Sequence, residues 1–386
     1  MMSDVEKRDG SSGSASNGLP LVKVKEECIF LFSEEDYVLQ SDWEDTKNSR
    51  FDKKLQSSWD EAREGGHFRY DLKDLTTRIL PGEFGFVAQL NTKRATHRRK
   101  PQEMISVAQP FNPKNFNFTK VKPGELVVDI NSTSQILMEI ARKQKDGEVP
   151  RDSRNVIVIN VSPLEYCSIL LVPSINSHLP QALTLDALQI AIEMILLSAK
   201  RSFRIGWNGL CALASVNHLH FHAYYLEYQL RIETEPTKQL SGPCHEIPSW
   251  PVPGFVFQLE DGDVLNLARN VYKVTRYFHI NEIAHNIFMT RGSVLGEQKD
   301  SIQTTLRIFI WPRNPVYGED SAVQLLSVKN VDAFNVAFCE IAGHIPVKDA
   351  DSFPLLTDQS SIEVMEKVKL PREKFESIQK DVAALF

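Results

Sequence analysis

Residues 215 to 230 read SVNHLHFHAYYLEYQL and place histidines at every second position, His218, His220 and His222. In an extended chain alternate side chains share a face, so the three imidazoles point one way and Leu219, Phe221, Ala223 and Tyr225 the other. Four uses fit such a face. It can be the solvated face of an antiparallel strand, although such faces are normally built from Lys, Glu and Thr. Neighbouring imidazoles can ligate a metal; no Asp, Glu or Cys pattern nearby completes a tetrahedral set, which leaves Cys244, His245 and Glu246 to do so through folding. The face can bind a ligand without chemistry. Finally, one ring can act as a nucleophile. Neutral imidazole is abundant at pH 7 because its ordinary pKa is about 6.5, and attack on phosphorus gives a phosphoramidate that a second acceptor discharges. In that use a hydrogen bond at one ring nitrogen selects the other as attacker, and flanking imidazoles bind phosphate oxygens or protonate the leaving oxygen.

The elements around the triple must hold it. NVIVINVSP and YCSILLVP are short runs rich in β-branched residues with a Pro-containing turn between them, and predict two antiparallel strands. LTLDALQIAIEMILLSAK predicts a helix capped by Thr184 or Asp186, with Leu188, Ile192, Ile195 and Leu196 as its apolar stripe. FRIGWNG predicts a strand, and the histidine strand follows. This order predicts an α+β fold, antiparallel sheets with helices packed on one face.

Upstream, residues 51 to 75 predict a helix with Phe51, Leu55 and Trp59 on one side, ended by Gly65 and Gly66, and FGFVAQL a strand. Between them and the histidines lies the densest basic run, Lys93, Arg94, His97, Arg98, Arg99 and Lys100, read either as a solvated loop or as a phosphate-binding loop. Beyond a Pro-rich stretch the helix–strand–strand order recurs as DVLNLARNVYKVTRYF, AHNIFMT and TLRIFIWPR, which predicts a degenerate duplication with Leu306, Ile308 and Ile310 where the first half has histidines. The expected organisation is a disordered tail over 1–20, a catalytic half over 21–234, a Pro-rich linker or loop over 235–254, a degenerate second half over 255–345 and a helical extension over 346–386.

Composition narrows the setting. With 386 residues, 42% of them hydrophobic, the chain can bury a large core. A net charge of −6 argues against a surface selected for nucleic acid or anionic lipid, so any basic site is local. Five scattered cysteines without a C-x-x-C pair fit reduced thiols in the cytoplasm. The polar N-terminus cannot serve as a secretory signal, and the most apolar helix carries Asp186 and Glu193, so no membrane span is expected.

HLHFHAYY resembles the His-φ-His-φ-His-φ-φ signature of the histidine-triad superfamily. The longer run NGLCALASVNHLHFHAYYL, with RILPGEFGFVAQLN, VAQPFNPKNFNFTKV, NVSPLEYCSILLVPSINSHLPQALT and AHNIFMTRG, resembles the GDP-hexose phosphorylase family in that superfamily, over about residues 50 to 345. The resemblance implies a histidine-triad, galactose-1-phosphate uridylyltransferase-like fold. It also implies that His220 is a nucleophile accepting a GMP group from a GDP-hexose, that His218 orients the site, that His222 contacts the α-phosphate, and that inorganic phosphate discharges the intermediate to GDP. Plant members of the family, which act on GDP-L-galactose, carry Gln at the position of His222 and the animal branch, which acts on GDP-D-glucose, His; this favours the animal-type activity. No cofactor or metal is required by that chemistry. Water as the acceptor, giving GMP, and guanine-nucleotide binding without turnover remain the competing readings.

Charge on the phosphoryl oxygens calls for donors. Asn208, Ser215 and Asn217, in the loop before the histidines, are candidates, or else turn residues bonding their own backbone. Lys120 and the 93–100 run are candidates for a second phosphate. His285 and Asn286 fall in a block shared with the family without an assignable step. Cys211 stands where relatives carry Gly, and its thiol would crowd a backbone that approaches phosphate there.

Overall fold

The computed structural model describes residues 26–41, 46–134, 154–296, 304–318 and 334–386; the tail expected over 1–20 lies outside them. The strands are β1 (Ile29–Phe32), β2 (Thr76–Ile79), β3 (Val87–Leu90), β4 (Leu126–Ser132), β5 (Val156–Ile159), β6 (Ile169–Val172), β7 (Phe203–Asn208), β8 (Phe221–Tyr225), β9 (Lys238–Ser241), β10 (Cys244–Glu246), β11 (Phe255–Gln258), β12 (His285–Ser293), β13 (Thr304–Pro312) and β14 (His344–Val347). The helices are α1 (Arg50–Glu64), α2 (Thr92–His97), α3 (Leu185–Leu197), α4 (Val264–Ile280), α5 (Phe338–Ile341), α6 (Asp358–Met365) and α7 (Arg372–Ala383). Eleven strands form one sheet in the order β1-β4-β5-β6-β8-β7-β12-β13-β11-β10-β9, and a small sheet runs β14-β3-β2. No helix among the described residues is long and apolar enough to cross a membrane.

Local chemistry accounts for the principal helices. Ser49 and Asp52 cap α1 reciprocally, Asp52 N–H donating to Ser49 Oγ at 3.0 Å and Ser49 N–H to Asp52 Oδ2 at 2.9 Å. Phe51, Leu55 and Trp59 are buried along one side, worth about 1.5–3 kcal/mol each relative to exposure. Thr184 caps α3, its Oγ1 accepting from Ala187 N–H at 3.1 Å, and Asp263 caps α4 in the same way. These three helices cover one face of the large sheet in a single apolar core with Ile205, Phe221, Ala223 and Ile287. A second core lies on the opposite face, where Tyr224, Phe288, Phe309 and Trp311 meet Phe86, Trp250, Phe338 and Ile345.

The two halves of the sheet have one topology. From the central β7–β12 pair the order outward is β7-β8-β6-β5 on one side and β12-β13-β11-β10 on the other, with α3 between β6 and β7 and α4 between β11 and β12. That is the recurrence read in the sequence, but its facing is off by one residue. Leu306, Ile308 and Ile310 lie in the helix-side core. His222 pairs with Gly206, Gly206 with Phe288 and Phe288 with Phe309, so the residues of β13 on the histidine side are Arg307, Phe309 and Trp311. A shift of one residue exchanges faces, and β13, buried on both sides, offers no alternation to fix the register.

Two further expectations change. Residues 235–254 hold β9 and β10 at the sheet edge and bury Trp250 and Val252, with Trp250 Nε1 donating to Ile341 O at 2.8 Å; prolines sit here because an edge and its turns tolerate a missing N–H. The basic run begins as helix, α2, because Asn91 Oδ1 accepts from Arg94 N–H at 3.1 Å and caps it.

Candidate active site

His218 and His220 precede β8; only His222 lies within it. The segment before the strand is held instead by residues 179–181. Leu219 N–H donates to Leu179 O at 2.9 Å, and His220 N–H donates to Gln181 Oε1 at 2.9 Å. Gln181 Nε2 donates back to His220 O at 3.0 Å and to Asn208 O at 2.9 Å. One buried amide thus grips the His220 backbone from both sides and ties it to the end of β7. Alternation survives without the ladder: Leu219 and Phe221 enter the helix-side core, while His220 and His222 line a cleft on the other face.

The ring of His220 is oriented by its own neighbourhood. Its Nδ1 lies 2.7 Å from His218 O. A carbonyl oxygen only accepts, so Nδ1 carries the proton and Nε2 keeps its lone pair. Burial pushes the His220 pKa down to about 4, against the opposing effect of that hydrogen bond, so the ring is neutral at pH 7. The rings of Phe118 and His222 flank it at 4.9 and 5.2 Å. A neutral imidazole with one nitrogen fixed as donor and the other left basic is the form a nucleophile needs.

The two other histidines differ. His218 accepts from Phe118 N–H at 3.0 Å through Nδ1 and packs between Phe111 and Phe118. Burial, with the adjacent His220 and His178, holds its pKa down to about 3. Its carbonyl orients His220, and its ring is wall rather than cleft lining. His222 does line the cleft, against Phe338 at 5.6 Å, and burial first, then His220 and Arg94, keeps its pKa well below the ordinary range. Its strand neighbour Gly206 is required there: a Cβ would fall 2.0 Å from the Phe338 ring.

The cleft in front of His220 and His222 is open to solvent and lined by both polar and apolar side chains. Asn208 and Ser215 line it. Asn217 and Lys120 do not. The Asn217 side chain accepts from Gln181 N–H at 2.9 Å and donates to Gln109 O and Pro110 O at 3.1 and 2.9 Å. Lys120 Nζ donates to the carbonyls of Pro113, Lys114 and Asn115, bracing that loop. The basic run supplies what Lys120 does not: Arg94, Arg98 and Arg99 line the cleft with Lys348, four cations against the carboxylates of Glu125 and Glu340. Arg94 Nη1 donates to Ser162 O, and the Arg99 guanidinium stacks on Phe116. At the cleft's apolar end are Phe116, Phe118, Val121, Val158 and Leu170. Lys93 is paired with Asp71 and Asp74 instead.

Cys211 does not crowd the cleft. It has a φ of 58°, the left-handed region that glycine enters without strain, and its thiol is buried among Leu210, Ala212 and Ala284. His285 and Asn286 are separated by strand alternation: His285 packs between Trp207 and Phe278 in the helix-side core, while Asn286 turns to the cleft side and donates to Asn208 Oδ1 at 2.7 Å. Gln181 and Lys348 were missed as site residues by the sequence reading, and Asn286 was singled out there without a step. A lone Gln amid the apolar stretch before α3 was the one local signal for the first; Lys348 carried none. Among the described residues no group of three or more His, Cys, Asp or Glu is arranged to hold a metal ion.

Comparison with known proteins gives the chain its relatives. A model of the GDPGP1-like N-terminal domain matches residues 50–224, and one of the GDPGP1-like C-terminal domain residues 231–386. The chain is 41% identical over 342 residues to GDP-D-glucose phosphorylase 1 of Bos taurus, covering 87% of this chain and 84% of that protein. It is 36% identical over 399 residues to GDP-D-glucose phosphorylase 1 of Xenopus laevis (95% and 97% covered) and 31% over 327 residues to GDP-L-galactose phosphorylase 1 of Arabidopsis thaliana (83% and 70%). The crystal structure of the yeast Ap4A phosphorylase Apa2 shares the fold, with a TM-score of 0.55 at 15% identity over 86% of this chain and 96% of that one. The chain belongs to the GDPGP1-like family.

Proposed function

We propose that the protein is a GDP-D-glucose phosphorylase working through a guanylyl-histidine. His220 Nε2 attacks the α-phosphorus of GDP-D-glucose. The N–P bond forms as the bond from that phosphorus to the bridging oxygen breaks, and glucose 1-phosphate leaves. The ring, now bonded at both nitrogens, carries positive charge that the His218 carbonyl, 2.7 Å from Nδ1, stabilises. An oxygen of inorganic phosphate then attacks the same phosphorus, the P–N bond breaks, GDP departs and neutral His220 returns. The two displacements replace one harder transfer, and donors around the phosphoryl group carry most of the stabilisation. Asn208, Ser215, His222 and the arginines are those donors. A cytoplasmic location suits the five cysteines, none of them in a disulfide, which reducing conditions would keep as thiols.

The single observation that carries this reading is the fixed tautomer of His220 at the wall of a cation-lined cleft. The identity to the GDP-D-glucose phosphorylases of Bos taurus and Xenopus laevis, higher than that to the GDP-L-galactose enzyme of Arabidopsis, supports glucose as the hexose. The test is incubation with GDP-D-glucose with and without phosphate, followed by intact mass. GDP formed only with phosphate, and a GMP adduct on His220 without it, are expected. GMP released equally in both arms would replace the phosphorylase by a hydrolase, and saturable GDP binding without turnover would remove the chemistry.

A further inference from the structure

We infer that Asn286, contributed by the second half, is a positioning residue for the reaction: it fixes which way the Asn208 amide points and so presents Asn208 Nδ2 to the phosphoryl oxygens in the cleft. This rests on the phosphorolysis reading above.

An asparagine side chain can adopt either of two amide orientations, and only its donors and acceptors decide between them. Here the decision starts from groups with one polarity. Arg313 Nη1 can only donate, and it reaches Asn286 Oδ1 at 3.1 Å. Asn286 must therefore turn its Nδ2 the other way, and Nδ2 donates to Ala212 O at 2.8 Å and Asn208 Oδ1 at 2.7 Å. The backbone N–H of Phe338, again only a donor, also reaches Asn208 Oδ1, at 3.1 Å. Two donors from the second half thus hold the Asn208 oxygen, and its Nδ2, without a partner among the described residues, is the atom left for the cleft that Asn208 lines. The reversed amide would face the α-phosphate with a carbonyl and exchange attraction for repulsion at the group where charge develops. The relay crosses the junction of the two halves through the paired positions Asn208 and Asn286.

The test compares Asn286→Asp with Asn286→Ala by kcat and KM for GDP-D-glucose at saturating phosphate, with thermal melting alongside. The carboxylate introduced by Asn286→Asp would keep Arg313 paired but set an oxygen against Ala212 O, so that variant should fold with a modestly lowered melting temperature, as the alanine variant should. Having only acceptors, it would draw Asn208 Nδ2 toward itself and turn the carbonyl to the substrate. Asn208→Ala should lower kcat about 100-fold, the scale for one lost donor to a developing oxyanion. Asn286→Asp should fall at least as far, and Asn286→Ala less, about tenfold, with KM changing less than kcat in each. In an Asn208→Ala background the Asp and Ala substitutions should be indistinguishable, since they act through Asn208. Asn286→Ser supplies the same comparison should the alanine variant not fold. Asn286→Asp more active than Asn286→Ala, the order a packing role gives, overturns the inference; so does an Asp effect that persists without Asn208. A wild-type protein inactive on GDP-D-glucose with phosphate removes the reading of the site, and this inference with it.

Discussion

β8 and β13 occupy corresponding places in two halves of the same strand order, and their cleft-side faces are filled differently. On β8 that face carries His222, opposite a glycine, with His220 just before it. On β13 it carries Arg307, Phe309 and Trp311, all buried, with Phe309 and Trp311 stacked at 5.6 Å. The glycine in the first half leaves space that Phe338 and the cleft share, whereas in the second half rings fill the space outright. The duplicated topology sets where backbone can go; side-chain volume on one face decides whether a site opens there. The second half is not idle, because it places Asn286, Arg313 and Phe338 against the first half's Asn208.

Substitutions on the two faces test that division. His220→Asn should lower turnover by on the order of 10⁴-fold or more and abolish the GMP adduct, with little change in melting. Phe309→Ala should do the reverse, lowering stability by about 3–5 kcal/mol in urea titration while the folded fraction keeps its kcat. Equal losses of activity from the two would break the comparison. Gln181→Leu sits between these extremes. It leaves His220 N–H, His220 O and Asn208 O without the partner they now share, so kcat should fall about 100-fold through misplacement of the ring, and stability should fall too. Retained kcat at lowered stability would mean that the β8 backbone alone places His220.

A smaller contrast separates cations that line the cleft from one that braces a loop. Arg99→Ala should raise KM for the nucleotide sugar about tenfold, a loss of about 1.4 kcal/mol, whereas Lys120→Ala should leave kcat/KM near wild type in steady-state kinetics. A large effect at Lys120 would return it to the site.

Acid acts on stability rather than on turnover, and both halves share the effect. Burial holds His218 and His344 near pKa 3 and His220 and His285 near 4 in the folded protein, below the ordinary value of about 6.5 that unfolded chain restores. Between those values the unfolded state binds more protons, so stability is complete above about pH 6.5 and declines as pH falls toward 4, by up to about 1.4 kcal/mol per unit for each histidine. Urea midpoints at pH 7.5 and 5 should differ accordingly, and His285→Phe should lessen the difference without touching kcat. A pH-independent midpoint would show that these rings are not held neutral.

Much of the scaffold was legible from local pattern. The stripe of Phe51, Leu55 and Trp59, the cap at Thr184, and the β-branched runs of β5 and β6 each encode their element within a few residues, and each forms. The alternation around His220 was readable for the same reason, since an extended backbone turns successive side chains to opposite faces whether or not a ladder forms. The helix–strand–strand recurrence was visible, but the facing of β13 was not, because a strand apolar on both sides has no period to read.

The sequence by itself determined which residue types could do the chemistry: three imidazoles on one face, a basic run, and amides before them. Tertiary structure decided which of them share a space. Lys348 joins Arg94 and Arg99 from a distant part of the chain, Phe338 N–H reaches Asn208 across 130 positions, and Asn217 and Lys120 are drawn off to carbonyls of the 109–115 loop. A hydrogen bond needs its partners within about 3 Å whatever their separation in sequence. Local pattern fixes the direction a side chain faces, and only the packed sheet brings its partner there.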